Sequence, residues 1–530
     1  MFKRRIFCCV CWAIPVLAPD FVEVAQPEVI SQDEPQKRRI IYNDDGGVLK
    51  NMKEPSIEAY LSSRLSKLAN TQVDTVFFCP HDNWDGVFYE SNIEEVELRA
   101  SPALKQLLRD GVDPIQETIN FCHRNNMEIY CSFRMNDIHD SFSGNIGPFK
   151  RSHPELLLGS KQQNYPPRLP AKRTLQECTW SSLNFASKLV RDHVYRAMDE
   201  AMQRWDWDGL ELDYGRNASL FMAVFKGHSA TDQDRPILTT FQHRIRDLAD
   251  TIARKRGKPC PIAVVVPETI EKARYVGIDI ETWLEEGLVD IIIAGNGYVP
   301  FAPSSFEMAS LGSKYKVPVH MRVNANTGGI ERPYHKYLEV WRACATNAAA
   351  TGGAGIYYFN TYDAERYYDH DLGLFNEIGN CDTLRFRDKL YLADWDFTKW
   401  HYGGGDVEFY MPRENLLPLS LEDKQKRVEF TCFEDLQEAI AQQKKPEVKL
   451  RLEVEGLEAG EEISFTINGL ALSKPSSVIE SDKCITYEYL VEPQQISYGT
   501  NTIKAKLVSN EGKATQAVVT AAQLWIRYFE

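Results

Sequence analysis

The chain has 530 residues, too many for one ordinary hydrophobic core, so two or three domains are expected. Its 43% hydrophobic and 26% charged residues exclude a disordered or fibrous chain. With 61 Lys and Arg against 75 Asp and Glu, a balance of -14 repels polyanions and argues against a nucleic-acid partner.

The N-terminus opens on Lys3, Arg4 and Arg5, followed by an apolar run from Ile6 to Ala18. That order of basic and apolar regions predicts a signal segment over residues 1–25 and export to the periplasm or beyond the cell, against the alternative of an unstructured cytoplasmic start. No later run is long enough to span a bilayer. The remaining cysteines are scattered singly without CxxC spacing, which predicts buried free thiols rather than a disulfide framework or a zinc site. No metal or cofactor is expected.

Over residues 39–380 short β-type runs alternate with amphipathic helical stretches. The predicted strands are Arg39–Asn43, Thr75–Cys79, Glu128–Phe133, Gly209–Tyr214, Ile262–Pro267, Val289–Ala294, Val317–Val323 and Gly355–Phe359. Helices are predicted over Ser56–Leu68, Asn184–Trp205, Arg235–Lys255 and Lys336–Ala350, where apolar residues recur three and four apart. Eight strands with crossovers predict a (β/α)8 barrel, with a doubly wound open sheet as the alternative. The polar segment Met135–Asn184 exceeds what closure needs, and long loops are usually functional. Residues 381–445 read as an irregular linking segment. From 446 to 530, alternating runs such as VKLRLEV and AAQLWIRY between Gly, Asn and Pro predict an antiparallel β-sandwich.

In such a barrel the chemistry lies where the strands end. The fourth run, Trp205-Asp206-Trp207-Asp208-Gly209-Leu210-Glu211-Leu212-Asp213, points Glu211 and Asp213 to one face and the leucines to the other. Carboxylates inside a barrel must be paired, hydrogen-bonded or functional; for Glu211 the alternative is an internal salt bridge with an inward Arg. After the third run, Arg134 and Asn136 share a face, followed by Asp137 and His139, although an Asn-Asp pair can simply start a turn. Glu268 ends the fifth run and is the natural partner of Asp213, or else a carboxylate favouring a helix N-terminus. Tyr298, Arg322, Asn324 and Asn360 lie at the last three strand ends, and Trp84 offers a ring that could stack on sugar.

Taken together, the MEIYCSFRMNDIHD stretch, HPELLLG (His153–Gly159), LNFASKLVRDHV (Leu183–Val194) and DGLELDY (Asp208–Tyr214) resemble the glycosyl hydrolase-like family 10 barrels. The resemblance covers roughly residues 39–380 and implies hydrolysis of glycosidic bonds in a poly- or oligosaccharide, with Asp213 as the family's fourth-strand carboxylate. The chain departs from retaining barrels that carry a second carboxylate at the end of strand seven; here that position reads HMRVN. Two carboxylates are then expected to act, Asp213 as nucleophile or base and Glu268 as acid, with Glu211 in reserve. Arg134, Asn136, Asp137, His139, Tyr298, Arg322, Asn324, Asn360 and Trp84 would hold substrate, and the inward arginines favour an acidic or sulfated sugar. The competing expectation is a barrel that binds carbohydrate without cleaving it.

Overall fold

The computed structural model describes residues 37–83, 85–162, 175–295, 305–324, 334–359, 372–396, 411, 413–421, 427–458, 461–481, 483–508 and 516–529. Arg38–Glu530 form one compact unit.

Eight parallel strands close into a barrel: β1 Ile40–Asp44, β2 Val73–Phe78, β3 Glu128–Arg134, β4 Gly209–Asp213, β5 Ile262–Val266, β6 Ile291–Ala294, β7 Val319–Asn324 and β8 Gly355–Phe359. Going round, each strand pairs with its neighbours in sequence, and β1 closes the ring between β2 and β8. The period of two sorts their side chains into two layers. Ile41, Phe77, Tyr130, Ala263, Val265, Ile293, Tyr357 and Phe359 fill the interior. Ile40, Val76, Ile129, Leu210, Leu212, Val264 and Ile292 face the surrounding helices.

The flanking helices include α1 Ile57–Arg64, α2 Pro102–Arg109, α3 Pro114–Arg124, α4 Lys188–Arg204, α5 Asp234–Arg256, α6 Ile270–Val276, α7 Ile280–Glu285, α8 Phe306–Tyr315 and α9 Leu338–Ala350. Their ends follow from local chemistry. The Asp113 carboxylate accepts the amides of Ile115 and Gln116 at the start of α3, and Thr269 accepts that of Lys272 at the start of α6. Gly257, at φ 69°, ends α5 in the left-handed conformation that glycine adopts freely.

A sandwich follows, built from β9 Lys389–Leu392, β10 Leu419–Ser420, β11 Val428–Cys432, β12 Lys445–Glu455, β13 Ile463–Ile467, β14 Leu470–Ala471, β15 Ser477–Glu480, β16 Cys484–Leu490, β17 Gly499–Leu507 and β18 Val518–Phe529. One sheet runs β9-β18-β12-β16-β15 with β10 also on β18; the other runs β11-β17-β13-β14. Alternate residues Val448, Leu450, Leu452 and Val454 of β12 meet Phe465, Ile467 and Ile503 in a second core. The stretch 381–445 is therefore not merely a linker, because β9, β10 and β11 lie within it and join both sheets. Its strands are short and interrupted, which hides their period of two. Among the described residues no helix is long and apolar enough to cross a membrane. Cys79, Cys122, Cys131, Cys178, Cys260, Cys344 and Cys432 are buried free thiols.

Candidate active site

Strand register decides which side chains meet at the C-terminal end of the barrel. On β3 and β4, Ser132 stands beside Glu211 and Arg134 beside Asp213; Arg322 of β7 stands beside Tyr357 of β8. Leu210 and Leu212 pack outward, so Glu211 and Asp213 both point inward. At about 3.3 Å per residue their Cα atoms lie roughly 6.6 Å apart along the strand, with Asp213 nearer the rim.

Glu211 is fully buried, and its Oε1 accepts the Tyr357 hydroxyl at 2.7 Å. Burial, followed by the charge of Asp213, pushes its carboxyl up to about 8, against the opposing pull of Ser132, Tyr357 and Arg322. Glu211 thus carries its proton at neutral pH. It forms no salt bridge with Arg134, which turns instead to Asp137.

Asp213 accepts the backbone amide of Arg216 at 2.8 Å and faces the Arg322 Nη1 at 3.7 Å. The Arg322 guanidinium carbon lies over Phe359, 3.6 Å from the ring centroid. Arg322 is 3% exposed, and among the described residues Nε, Nη1 and Nη2 have no hydrogen-bond partner. Two glycines make room for it. A Cβ on Gly295, at φ 138°, would sit 2.7 Å from the Arg322 Cβ, and one on Gly215 would sit 3.1 Å from the Gly295 carbonyl oxygen and 3.4 Å from Nη1.

Beside this pair lies a second ionic group. Arg134 donates to Asp137 at 3.1 Å and faces the Asp45 carboxylate at 3.8 Å. Burial works against the charge of Arg134, yet Cys79, Asp137 and Asp45 hold its pKa well above the usual range. Burial likewise opposes Asp137, but His139, 2.8 Å away, with Arg134 and Arg216, holds it well below the carboxylate range. Asp45 is lowered against burial by Arg134 and Arg64, whereas burial raises its neighbour Asp44. Asp45, Arg64, Arg216 and Tyr357 were not expected from the sequence. The Asp-Asp pair at the end of β1, Asp44 closing the strand and Asp45 following it, was the available signal for Asp45.

Two expected residues have other duties. Glu268 is buried in an ion pair with Lys272 at 2.5 Å, and although burial opposes it, Lys272 holds the carboxyl below its ordinary value. A carboxylate so held is a poor proton donor, which removes it from the role of acid. Asn136 is fully buried, and its amide donates to the carbonyls of Leu183 and Ser219 and accepts the Leu183 amide. Its hydrogen-bonding capacity goes into clamping the loop after β3 to the loop after β4, leaving little for a substrate. Tyr298, Asn360, Trp84 and the side chain of Asn324 lie outside the described residues.

No protein-family profile matches the chain, and no curated protein matches it in sequence. Among solved structures it is similar to the PgaB (BpsB) glycoside hydrolase domain from Bordetella bronchiseptica, with 11% identity, a TM-score of 0.40, and coverage of 63% of this chain and 97% of that one. It is similar to alpha-L-fucosidase isoenzyme 2 from Paenibacillus thiaminolyticus, with 12% identity, a TM-score of 0.42, and coverage of 65% and 49%. A third is a glycoside hydrolase family 18 N-acetylglucosaminidase from Paenibacillus barengoltzii, with 10% identity, a TM-score of 0.35, and coverage of 65% and 98%. At such identities and scores these likenesses assign no residue and no substrate to the chain, whose barrel stands on its own strand pairing.

Proposed function

We propose that the barrel is a glycoside hydrolase of the general kind its sequence resembles, acting on an acidic or sulfated glycan. The observation that carries this reading is the Asp213–Arg322 pair on β4 and β7: an inward carboxylate beside a buried guanidinium whose nitrogens make no hydrogen bond among the described residues. Asp213 is the nucleophile or base of the reaction. Glu211, with its proton retained by burial, replaces Glu268 as the acid of the pair. Two carboxyl groups with environments this different support the split between proton donor and charged partner on which glycosidic cleavage depends. Arg322 offers two parallel N–H donors to a carboxylate or sulfate on the sugar, and Arg134 and His139 contribute further polar groups on the β3 side.

The test is hydrolysis of neutral, uronic and sulfated oligosaccharides by the wild type and Arg322→Leu. The reading predicts cleavage of an anionic member by the wild type and a loss of 100-fold or more in kcat/KM for that substrate in the variant. Hydrolysis should also decline as pH rises through about 8, where Glu211 gives up its proton. Cleavage confined to neutral sugars would overturn the substrate class, and binding without cleavage of any member would favour the purely carbohydrate-binding barrel.

A further inference from the structure

Arg322 carries more hydrogen-bonding capacity than its neighbours use. Its side chain is 2% exposed, and a guanidinium holds its N–H donors in a fixed fork. Among the described residues its one ion-pair partner is Asp213, whose Oδ1 stays 3.7 Å from Nη1, beyond hydrogen-bond reach. Nε, Nη1 and Nη2 find no acceptor among those residues. Phe359 supports the cation through its ring but gives no lone pair to an N–H. Buried donors in folded proteins are nearly always matched, so a guanidinium in this state points to an acceptor that the described residues do not supply.

The surroundings set the charge and size of that acceptor. Arg216 lies 5.3 Å from the centroid of the same Phe359 ring that Arg322 approaches to 3.6 Å, which brings two guanidiniums to one aromatic ring. Among the described residues, the guanidiniums of Arg64, Arg134, Arg216 and Arg322 stand against the carboxylates of Asp45, Asp137 and Asp213. Burial draws Asp44 and Glu211 toward their protonated forms, so neither answers the remaining positive charge in full. One monovalent anion does. It must be small, because so little of the Arg322 side chain meets solvent. Gly215 keeps the volume next to Nη1 clear of side chain, since a Cβ there would lie 3.4 Å from it.

We propose that Arg322 binds a monovalent inorganic anion of the size of chloride, and that this ion holds the barrel mouth until the acidic group of a substrate displaces it. A halide accepts several N–H donors at once without fixing their directions, which suits a guanidinium edge with no built-in acceptor. Two anions cannot share that edge beside Asp213, so the ion and the acidic group exclude each other. Cleavage of an acidic glycan is thereby slowed as chloride rises. The competition rests on the reading of the barrel as a hydrolase of acidic glycans, whereas binding of the ion does not.

The test measures chloride NMR line widths with the full chain and no sugar, titrating chloride against gluconate at constant ionic strength. Excess broadening that saturates is expected in the wild type. It should fall fivefold or more in Arg322→Leu and Arg322→Gln and stay unchanged in Arg527→Leu, which removes an exposed cation of the sandwich. If circular dichroism shows the Arg322 variants unfolded, the wild type decides: its urea midpoint should rise with chloride along the same saturating curve, as mass action at one site requires. Uronic or sulfated oligosaccharides should remove the excess broadening, and chloride should raise KM for an acidic substrate threefold or more at unchanged kcat. Broadening that never saturates, or that is equal in the wild type and the folded Arg322 variants, would overturn the site. Hydrolysis of an acidic sugar with a KM indifferent to chloride would overturn the competition alone. Hydrolysis of no sugar would remove the glycosidase reading and leave the chloride titration to decide the site.

Discussion

Replacing Glu211 by Gln isolates the proton that the interior of the barrel holds. Gln keeps the volume and still accepts the Tyr357 hydroxyl, but it cannot ionise. In the wild type, burial and Asp213 push the folded-state carboxyl up to about 8. An unfolded glutamate has released its proton above about pH 4.3. Between these limits the folded state binds one more proton than the unfolded state, so stability is greatest at the acid end and falls as pH rises. The loss is about 1.4 kcal/mol per pH unit, or roughly 2–3 kcal/mol between pH 5 and pH 7. Asp44 and Asp85, whose pKa values burial also raises, add slopes of the same sign in both proteins and cancel in the comparison. Urea unfolding of wild type and Glu211→Gln at pH 5, 6, 7 and 8 should give curves that diverge, with the variant losing less stability. Asp213→Asn should shrink the divergence, because it removes the nearby negative charge that helps keep the proton on Glu211. Parallel curves across the whole range would refute the assignment of a retained proton.

Three further substitutions separate structural from chemical roles. Gly295→Ala should cost about 2–3 kcal/mol in urea unfolding, since the new Cβ meets that of Arg322 at 2.7 Å from a backbone conformation only glycine adopts easily. Glu268→Gln should cost up to about 3–5 kcal/mol by removing the carboxylate charge that faces the buried Lys272 ammonium at 2.5 Å, without moving the pH limits of hydrolysis; a displaced limit at unchanged stability would return Glu268 to the chemistry. Asn136→Ala should destabilise by about 2–4 kcal/mol and speed hydrogen exchange at the Leu183 amide, because three buried hydrogen bonds between its side chain and the backbone are lost.

The barrel was readable because each strand is a short apolar run with a clear boundary; Gly355–Phe359 is identical in sequence expectation and structure, and the others differ by one or two residues at their ends. Alternation along DGLELD likewise placed Glu211 and Asp213 inside. What failed was the choice among partners, since strand-end position says nothing about which charge a side chain will find. Glu268 looked available until Lys272, one helical turn on, was seen to occupy it, and that spacing of four was visible in ETIEK. Asn136 shares a face with Arg134 in sequence, but the chain leaves β3 at Arg134 and the alternation ends there. Phe359 beneath Arg322 joins residues 37 positions apart through β7–β8 register, and β9 to β11 were obscured by their brevity.

Cleavage by Asp213→Asn against wild type, measured with binding on the same uronic and sulfated oligosaccharides, tests the central claim most directly. The account predicts that the variant still binds, within about tenfold of wild type, and that product release falls by three orders of magnitude or more. Undiminished cleavage by Asp213→Asn would contradict it and move the chemistry away from β4.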